Sequence, residues 1–425
     1  MKKNKILAII GLGYVGLPLA VELSKKFKVI GYDSNKYRIL ELKKNIDNTG
    51  EVTKQQLKNS KKLTITSDQK DISSANIYVI TVPTPVKNKK PDLRNLEDAT
   101  KTVAKYLKKN DFVIYESTVY PGVTESLSKK ILEKKTNLNL NKDFYIGYSP
   151  ERINPSDKKN NLENIIKVVS GSNNYSKKFV ASLYSSIIKA GIYQAASIKV
   201  AEAAKVIENA QRDLNIAFIN ELSIIFNKMN LSLKDILKAS STKWNFLNFK
   251  AGLVGGHCIG VDPYYLTHVS QQHGYSPKVI LAGRKINDQM GQNIAKDFIN
   301  KIFQSNFESK RVLILGYTFK ENCNDIRNTK VKDLFNSLKN KIKKIDIYDH
   351  LVIKSQINKK ISKFFINDIE YKKYHAIILA VPHKKFVKLG SEGLKKFLKK
   401  NGKIYDIKHV LEKSSITHYL WLMIS

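Results

Sequence analysis

The sequence predicts an α/β fold with two doubly wound, Rossmann-like domains joined by a central helical domain. Short apolar runs alternate with helical segments at the start, a long helical pattern follows, and a second alternating series begins after Lys310. At 425 residues the chain also exceeds what one hydrophobic core usually serves. We therefore expect domains at residues 1–195, 196–305 and 306–425.

The N-terminal domain is predicted from four short apolar runs. They occupy residues 6–10, 29–32, 77–82 and 112–115, with helical patterns between them. Strands that alternate with helices usually pair in parallel, because each crossover helix returns the chain to the same edge of the sheet. We expect a parallel sheet covered by helices.

The central and C-terminal domains follow from the same patterns. Residues 199–227 carry apolar side chains at helical spacing without glycine or proline, which predicts a helix able to carry site residues and form a subunit interface. The runs 311–315, 345–348 and 376–381 then repeat the N-terminal pattern, with Gly316 directly after the first of them. A second doubly wound sheet is expected there.

The net charge of +37 would ordinarily indicate a polyanionic partner such as nucleic acid. Only seven of the 74 basic residues are arginine, the better reader of bases and phosphates, and the lysines are scattered along the chain. We therefore expect no nucleic acid partner and only weak steering of an anionic substrate.

The cysteine count indicates the compartment. Two cysteines, Cys258 and Cys323, cannot form a disulfide framework, which fits a reducing, cytoplasmic environment. Apolar runs fall short of the roughly 20 residues that a membrane helix needs, so no stable membrane insertion is expected. No metal site is predicted.

A glycine-rich turn follows the first predicted strand. Gly11 permits a tight turn, Gly13 lets the backbone approach a pyrophosphate, and Gly16 lets the next helix pack on the strand. Asp33 ends the second strand, where a carboxylate binds a ribose diol and repels a 2′-phosphate. NAD is thus favoured over NADP, although Arg38 weakens the preference. A structural turn without a ligand remains an alternative.

Cys258 lies in a second glycine-rich segment, with Asp262 four residues on. A lone cysteine is usually a small buried apolar residue, but the glycines and the proline-stopped turn favour a reactive thiol in an exposed loop. Lys205 and Asn209 share one face of the long helix and could bind an oxyanion. Their alternative is a solvated helix surface. Cys323 lacks such a setting and is expected to be a bystander.

Several motifs follow one another through nearly the whole chain: GLGYVGLPLA, TVPTP, EST, SPER, AEAAKVIENAQRDLNIAFINE, GLVGGHCIGVDPYYL and GYTFKENCNDIRNTK. In this order they resemble the UDP-glucose and UDP-N-acetylhexosamine 6-dehydrogenase family. The resemblance implies an NAD-binding Rossmann domain, a central helical domain that forms a homodimer, and a C-terminal domain that helps to bind UDP. The last dozen residues depart from the family pattern.

The resemblance also implies the chemistry. Two NAD molecules in turn accept hydride from C6 of the sugar, and the cysteine carries first a thiohemiacetal and then a thioester, which water hydrolyses to a uronic acid. Which group takes the first proton is left open. By motif, the catalytic residues are Cys258 (nucleophile), Lys205 and Asn209 (oxyanion), Asp262 (proton transfer or water activation), Glu151 (thioester hydrolysis) and Thr118 (water positioning).

Binding contacts are carried over in the same way. The cofactor contacts implied by the resemblance are Gly11, Gly13, Gly16, Asp33, Arg38, Thr84, Thr118 and Arg327. The substrate contacts implied by it are Glu151, Lys205, Asn209, Gly255 and Lys320.

The segment around Cys258 most resembles the branch acting on UDP-GlcNAc or UDP-GalNAc for capsule, Vi-type or O-antigen polysaccharides. Three alternatives stay open: a UDP-glucose 6-dehydrogenase, a UDP-ManNAc dehydrogenase, and a non-catalytic basic binding protein. The C4 configuration cannot be read from the sequence. For His257 we favour packing and hydrogen bonding within the loop over activation of the thiolate.

Overall fold

A computed structural model of the protein describes residues 5–152, 162–303, 307–412 and 414–420. The chain forms two compact units. Unit 1 comprises Met1–Glu208 and Tyr264–Ser276, and unit 2 comprises Asn209–Pro263 and Pro277–Ser425. The three predicted domain ranges end at other positions and stay a prediction. Of the last dozen residues, which depart from the family pattern, 421–425 lie outside the described residues.

Unit 1 is built on a large sheet. Its elements in chain order are β1 (Ile6–Ile10), α1 (Gly16–Ser24), β2 (Lys28–Tyr32), α2 (Lys36–Lys43), α3 (Lys54–Asn59), β3 (Leu63–Thr66), β4 (Ile77–Ile80), β5 (Val86–Lys87), β6 (Lys90–Pro91), α4 (Arg94–Ala104), β7 (Asp111–Tyr115), α5 (Lys129–Thr136), β8 (Phe144–Tyr148), β9 (Lys167–Gly171), α6 (Asn174–Ser185) and β10 (Ile192–Gln194). Short 3₁₀ turns lie at Gln69–Ser74 and Leu162–Asn164, and a π-helical turn lies at Thr124–Ser128.

Eight of these strands pair in the order β10-β9-β8-β7-β4-β1-β2-β3, while β5 and β6 form a separate antiparallel hairpin. The sheet is parallel except for the β8–β9 pair, which is antiparallel. The predicted parallel sheet is therefore confirmed with one departure. Its strands β3, β8, β9 and β10 were not predicted; β9, for example, has only two apolar residues, between a lysine and a serine.

The long helix α7 (Ile198–Lys228) begins in unit 1 and continues into unit 2, as expected from residues 199–227. The elements that follow are α8 (Leu233–Ser240), α9 (Asp262–Gln272), α10 (Lys278–Ile302), β11 (Arg311–Leu315), α11 (Val331–Lys339), β12 (Lys344–Tyr348), α12 (Lys359–Ser362), β13 (Tyr374–Leu379), α13 (Lys384–Lys395), β14 (Leu398–Asp406) and β15 (Thr417–Tyr419). Short 3₁₀ turns lie at Phe307–Ser309 and Lys354–Gln356.

The sheet of unit 2 has the strand order β12-β11-β13-β14-β15, and every pair in it is parallel. The second predicted sheet is thus confirmed. In both units the sheets are buried on both faces: Leu7 and Ile9 of β1 pack into one apolar layer, Ala8 and Ile10 into the other. Strands covered on both sides need continuous apolar runs, which is why those runs predicted them.

The first strand of unit 2 ends in the same kind of turn as β1. Gly316 has φ +87° and donates its N–H to the carbonyl of Tyr348 at 2.9 Å. The next amide, of Tyr317, donates to Asp349 Oδ2 at 2.7 Å. Both turns lie at the carboxyl edge where the chain switches sides of the sheet, the usual position of a nucleotide in such folds.

Two features are absent from the part of the chain that the structure describes. No helix there is both long and apolar enough to cross a membrane. No group of three or more His, Cys, Asp or Glu side chains there could hold a metal ion.

Candidate active site

The glycine turn after β1 has the three properties that the sequence predicted. Gly11 adopts φ +99°, a conformation that other residues rarely take. A side chain at Gly13 would meet no atom within 4 Å, so the backbone is open to a ligand there. A side chain at Gly16 would overlap the Gly11 carbonyl and the Thr81 hydroxyl, which fixes the start of α1 against the strand. These residues fit a dinucleotide pyrophosphate, with α1 supplying free amides and partial positive charge.

Asp33 supports this turn and remains available to a ligand. Its Oδ2 accepts the Leu12 N–H at 2.8 Å and its Oδ1 accepts the Asn35 N–H at 2.9 Å. Each carboxylate oxygen can accept a second hydrogen bond, and the residue is partly exposed. A ribose diol could therefore bind it without displacing either amide.

Arg38 holds the turn rather than standing free beside it. Its Nε donates to the Leu12 carbonyl at 2.9 Å, and its guanidinium pairs with Asp47 at 2.7 Å. Burial alone would raise the pKa of Asp47, but hydrogen bonds from Thr49 and Val52 and the charge of Arg38 outweigh it and lower the pKa. The cation that could favour a 2′-phosphate is thus already paired with a carboxylate.

We expect Asp33→Ser to raise KM for NAD by about 10- to 100-fold, because a hydrogen bond to a charged acceptor contributes about 1.5–3 kcal/mol. Steady-state NADH formation at varied NAD concentration measures the change. Asp98→Asn, an exposed carboxylate on α4, is the control. An unchanged KM in Asp33→Ser would show that this carboxylate does not contact the cofactor.

Thr84 and Thr118 lie together at the carboxyl edge of the same sheet. The Thr84 hydroxyl donates to the Thr118 carbonyl at 2.6 Å, and the Tyr265 hydroxyl donates to the Thr84 carbonyl. Both threonines follow neighbouring parallel strands, β4 and β7, and Gly11 follows β1 next to them. The sheet thus places these predicted cofactor contacts on one edge, where their roles stay predictions.

Glu151 follows β8 on that edge and belongs to a buried charged cluster that the sequence did not reveal. Lys167 Nζ lies 2.9 Å from Glu116 Oε2 and 3.4 Å from Glu151 Oε2. The Tyr184 hydroxyl donates to the other Glu116 oxygen. Burial raises the pKa of Glu116 to about 7, against the opposing charge of Lys167. Glu116 lies within the EST motif, but no pattern indicated its partners.

A second buried carboxylate, Glu202 of α7, fixes the loop that follows Thr118. Its two oxygens accept the backbone N–H groups of Gly122, at 2.5 Å, and Thr124, at 3.0 Å. Burial raises the pKa of Glu202 to about 7, although these backbone hydrogen bonds oppose the rise. Glu202 thereby links the helix that carries Lys205 to the loop that carries Thr118.

This raised pKa predicts a pH dependence of folding stability. The pKa of Glu202 is about 7 in the folded protein, against an ordinary value of 4.5, so the folded state binds this proton more tightly. The protonated carboxyl therefore contributes fully to folding stability below about pH 4.5, and this contribution is lost as the pH rises through about 7. We expect Glu202→Gln to lose less stability than the parent between pH 5 and 8, by about 3 kcal/mol. Urea unfolding at several pH values measures this, with Asp98→Asn as control. Parallel curves for parent and Glu202→Gln would contradict it.

In unit 2, the glycines before Cys258 allow close packing on the segment after β11. A side chain at Gly255 would lie 2.9 Å from the Asn328 carbonyl oxygen. Gly256 has φ +85°, and a side chain there would meet the Phe319 ring. The Asn328 amide also donates to the Gly256 carbonyl at 3.1 Å. The loop of Cys258 therefore packs against Phe319 and Asn328, which both belong to the GYTFKENCNDIRNTK motif.

Cys258 is half-buried and is tied to Asn209 and Asp262. The Asp262 N–H donates to the Cys258 carbonyl at 2.8 Å, and the Asn209 side-chain amide donates to Asp262 Oδ2 at 2.5 Å. His257 Nδ1 lies 3.6 Å from the Cys258 sulfur. Unit 2 thus brings three of the predicted catalytic residues together, and the His257 contact is compatible with both interpretations of that residue.

Lys205 lies one turn before Asn209 on α7 and is only 8% exposed. A solvated helix surface does not describe it. Val206 beside it is fully buried, whereas Ile207 is 53% exposed. The helix face of Lys205 is therefore covered by protein, and its role in binding an oxyanion stays a prediction.

The remaining predicted contacts, Lys320 and Arg327, lie on the segment that anchors the cysteine loop. Arg327 is exposed and pairs with Asp325 through two nitrogens, the shorter contact being 2.6 Å. Lys320 Nζ lies 5.9 Å from the centre of the Phe319 ring. Cys323 is buried, as expected of a bystander. The ligand contacts of Lys320 and Arg327 stay predictions.

A buried ion-pair network supports the cysteine loop from within unit 2. Arg284 is 2% exposed and pairs with Asp213 at 2.6 Å and with Asp288 at 2.5 Å. The Asn287 amide adds a hydrogen bond to Asp213 at 2.8 Å. A side chain at Gly260, two residues after Cys258, would lie 3.8 Å from the guanidinium. No pattern in the sequence indicated this network, because Asp213 lies more than 70 residues from Arg284 and Asn287.

Comparison with known proteins covers nearly the whole chain. Three parts of the UDP-glucose/GDP-mannose dehydrogenase family match in order: the NAD binding domain at residues 5–188, the central domain at 199–289 and the UDP binding domain at 313–413. The order agrees with the three predicted domains.

Individual relatives agree with this match. The chain is 51% identical to a UDP-N-acetyl-D-glucosamine 6-dehydrogenase of Salmonella typhi, over 95% of this chain and 96% of the relative. It is 49% identical to the enzyme of that name from Pseudomonas aeruginosa, over 97% and 98%. A UDP-D-ManNAc dehydrogenase structure from Pyrococcus horikoshii superimposes with TM-score 0.86 at 26% identity, covering 98% of this chain and 99% of that one.

Proposed function

The chain belongs to the UDP-glucose/GDP-mannose dehydrogenase family, and from that premise we propose that it oxidises C6 of a UDP-N-acetylhexosamine to the uronic acid. It is an NAD-dependent nucleotide-sugar dehydrogenase. The proposed substrate is supported by the sequence identity of 49–51%, over almost the full length, with two UDP-N-acetyl-D-glucosamine 6-dehydrogenases. UDP-GlcNAc is therefore the first expected substrate and UDP-GalNAc the second, with UDP-glucose and UDP-ManNAc as alternatives.

The chain's own residues supply the covalent and acid–base parts of the reaction. NAD, when bound, accepts the hydride in each of the two oxidation steps. After the first, the Cys258 sulfur adds to the aldehyde carbon as a thiohemiacetal, and the second oxidation leaves a thioester. Lys205 and Asn209 stabilise the oxyanion, since donors fixed in a poorly solvated site are most effective there. Asp262 accepts from Asn209, so it orients that amide in addition to any proton transfer.

Hydrolysis completes the reaction. Water adds to the acyl carbon, one of its protons passes to the Glu151 carboxylate, and the carbon–sulfur bond breaks with its electrons going to Cys258. Thr118 is proposed to position that water. The product is a uronic acid, which we propose serves the synthesis of a surface polysaccharide.

The assembly and compartment are further parts of the proposal. We propose a homodimer formed through the central helix, supported by apolar side chains on α7 and directly after its end that are 43–57% exposed: Phe218, Ile225 and Met229. The two cysteines are both free thiols, which supports a reducing, cytoplasmic location. The family match leaves the non-catalytic binding protein without support.

The test is NADH formation with UDP-GlcNAc, UDP-GalNAc, UDP-ManNAc and UDP-glucose in parallel, scored per sugar consumed. Two NADH per N-acetylated sugar are expected. Activity with UDP-glucose alone would contradict the substrate class, and no activity with any of the four sugars would contradict the proposed function.

A further inference from the structure

The antiparallel β8–β9 pair in the large sheet of unit 1 brings a buried lysine to Glu151. Tyr148 of β8 pairs with Ser170 of β9. Because β9 runs opposite to β8, its first residue, Lys167, lies at the edge where β8 leads into Glu151. A parallel β9 would place its first residue at the other edge of the sheet. This reversal is therefore what lets the two side chains meet.

Lys167 contacts three oxygens around Glu151. Its Nζ lies 2.9 Å from Glu116 Oε2, 3.3 Å from the Pro150 carbonyl and 3.4 Å from Glu151 Oε2. The Arg152 backbone N–H donates to the other Glu151 oxygen at 2.7 Å. Both oxygens of the Glu151 carboxylate are thus fixed, and the peptide that precedes it is fixed as well.

The side chains of Glu116, Lys167 and Glu151 differ in how deeply they are buried. The side chains of Glu116 and Lys167 are 0% and 3% exposed, whereas that of Glu151 is 10% exposed. Glu116 is further held by the Tyr184 hydroxyl. Glu151 is therefore the member nearest to solvent, and Glu116 and Lys167 act on it from the interior.

We propose that Lys167, held by Glu116, is a positioning residue that orients the Glu151 carboxylate to accept a proton from the water that hydrolyses the Cys258 thioester. The inference rests on the proposed function. A general base that is held in place accelerates a reaction more than a mobile one, because the geometry of proton transfer is set before the reaction begins. Loss of Lys167 should therefore slow hydrolysis while leaving both oxidation steps intact.

The test uses the full-length enzyme with UDP-GlcNAc and NAD, comparing wild type, Lys167→Met and Glu116→Gln. Rapid mixing follows NADH release in the first turnover, and intact mass measures acyl adduct on Cys258. In Lys167→Met we expect two NADH per site in the first turnover and an acyl adduct that accumulates on Cys258. Because only the hydrolysis step is slowed, kcat and KM should both fall by about 10²-fold, which leaves kcat/KM unchanged. A merely structural role would lower kcat/KM and leave no adduct.

Glu116→Gln keeps the size of the side chain but removes its charge and one of its two acceptor oxygens, so it tests the proposal if Lys167→Met does not fold. Lys167 is then held less firmly and orients Glu151 less well, and about tenfold slower hydrolysis with adduct is expected. Lys189→Met removes an exposed lysine that pairs with Glu163 and is the matched control. Unchanged kcat and no adduct in folded Lys167→Met or Glu116→Gln would overturn the proposal. Absence of two NADH per sugar in the wild type would instead overturn the proposed function.

Discussion

Cys258→Ser is expected to lower the overall turnover by on the order of 10⁴-fold, the scale of loss when a catalytic nucleophile is removed. A serine hydroxyl is a much weaker nucleophile than a thiolate at neutral pH, so neither the thiohemiacetal nor the thioester should form at a useful rate. The yield should fall from two NADH per sugar to at most one. NADH formation together with product analysis measures both quantities.

Cys323→Ala provides the matched control for this prediction. Cys323 is the other free thiol of the chain, and it is only 3% exposed. Removing it should leave the turnover within about twofold of wild type, with a modest loss of stability from the small cavity. If Cys323→Ala were as inactive as Cys258→Ser, the assignment of the nucleophile would be wrong.

Arg284→Met is expected to lower the free energy of unfolding by about 3–5 kcal/mol, a larger loss than we expect from any other substitution proposed for this protein. The substitution removes the cation between Asp213 and Asp288 and leaves Asp213, which is 0% exposed, as a buried carboxylate without it. Burial already raises the pKa of Asp213 against the charge of Arg284, and loss of that charge would raise it further. Urea unfolding, followed by fluorescence and circular dichroism, measures the change.

Arg212→Met tests whether this loss comes from burial. Arg212 lies next to Asp213 on the same helix but is exposed, so its replacement should change stability by less than about 0.5 kcal/mol. Equal losses of stability in the two variants would mean that replacing an arginine destabilises the helices themselves, and that the buried ion pair is not the cause. A loss below about 1 kcal/mol in Arg284→Met would contradict the prediction directly.

Local patterns in the sequence were sufficient for the glycine turn and for part of the strands, namely β1, β2, β4, β7, β11, β12 and β13. Apolar runs such as 6–10 and 311–315 are bounded sharply enough to define strands, and the glycines that indicate the turn all lie within residues 11–16. Cys258 could be singled out because its glycines lie beside it. These features are encoded within short stretches of chain, so one sequence reveals them.

The charged clusters could not be predicted because their members are distant in sequence. Lys167 and Glu116 are separated by 51 residues, and Arg284 and Asp213 by 71. A lysine at the start of a short strand looks the same whether it meets solvent or a carboxylate. The order and direction of the strands, including the reversal of β9, bring Lys167 to Glu116, and the contact between helices α7 and α10 brings Arg284 to Asp213.

The two glycine turns, though alike in backbone, differ in whether their carboxylate is already occupied. Asp349 Oδ2 accepts two amides and the Nε2–H of His383, whose Nδ1 accepts the Asn322 N–H, and its side chain is 0% exposed. Asp33 holds two amides and remains partly exposed. The second carboxylate is thus enclosed by its own protein donors, whereas the first still faces solvent. We expect this difference to let only the first turn bind an adenosine ribose, although the two turns share one backbone architecture.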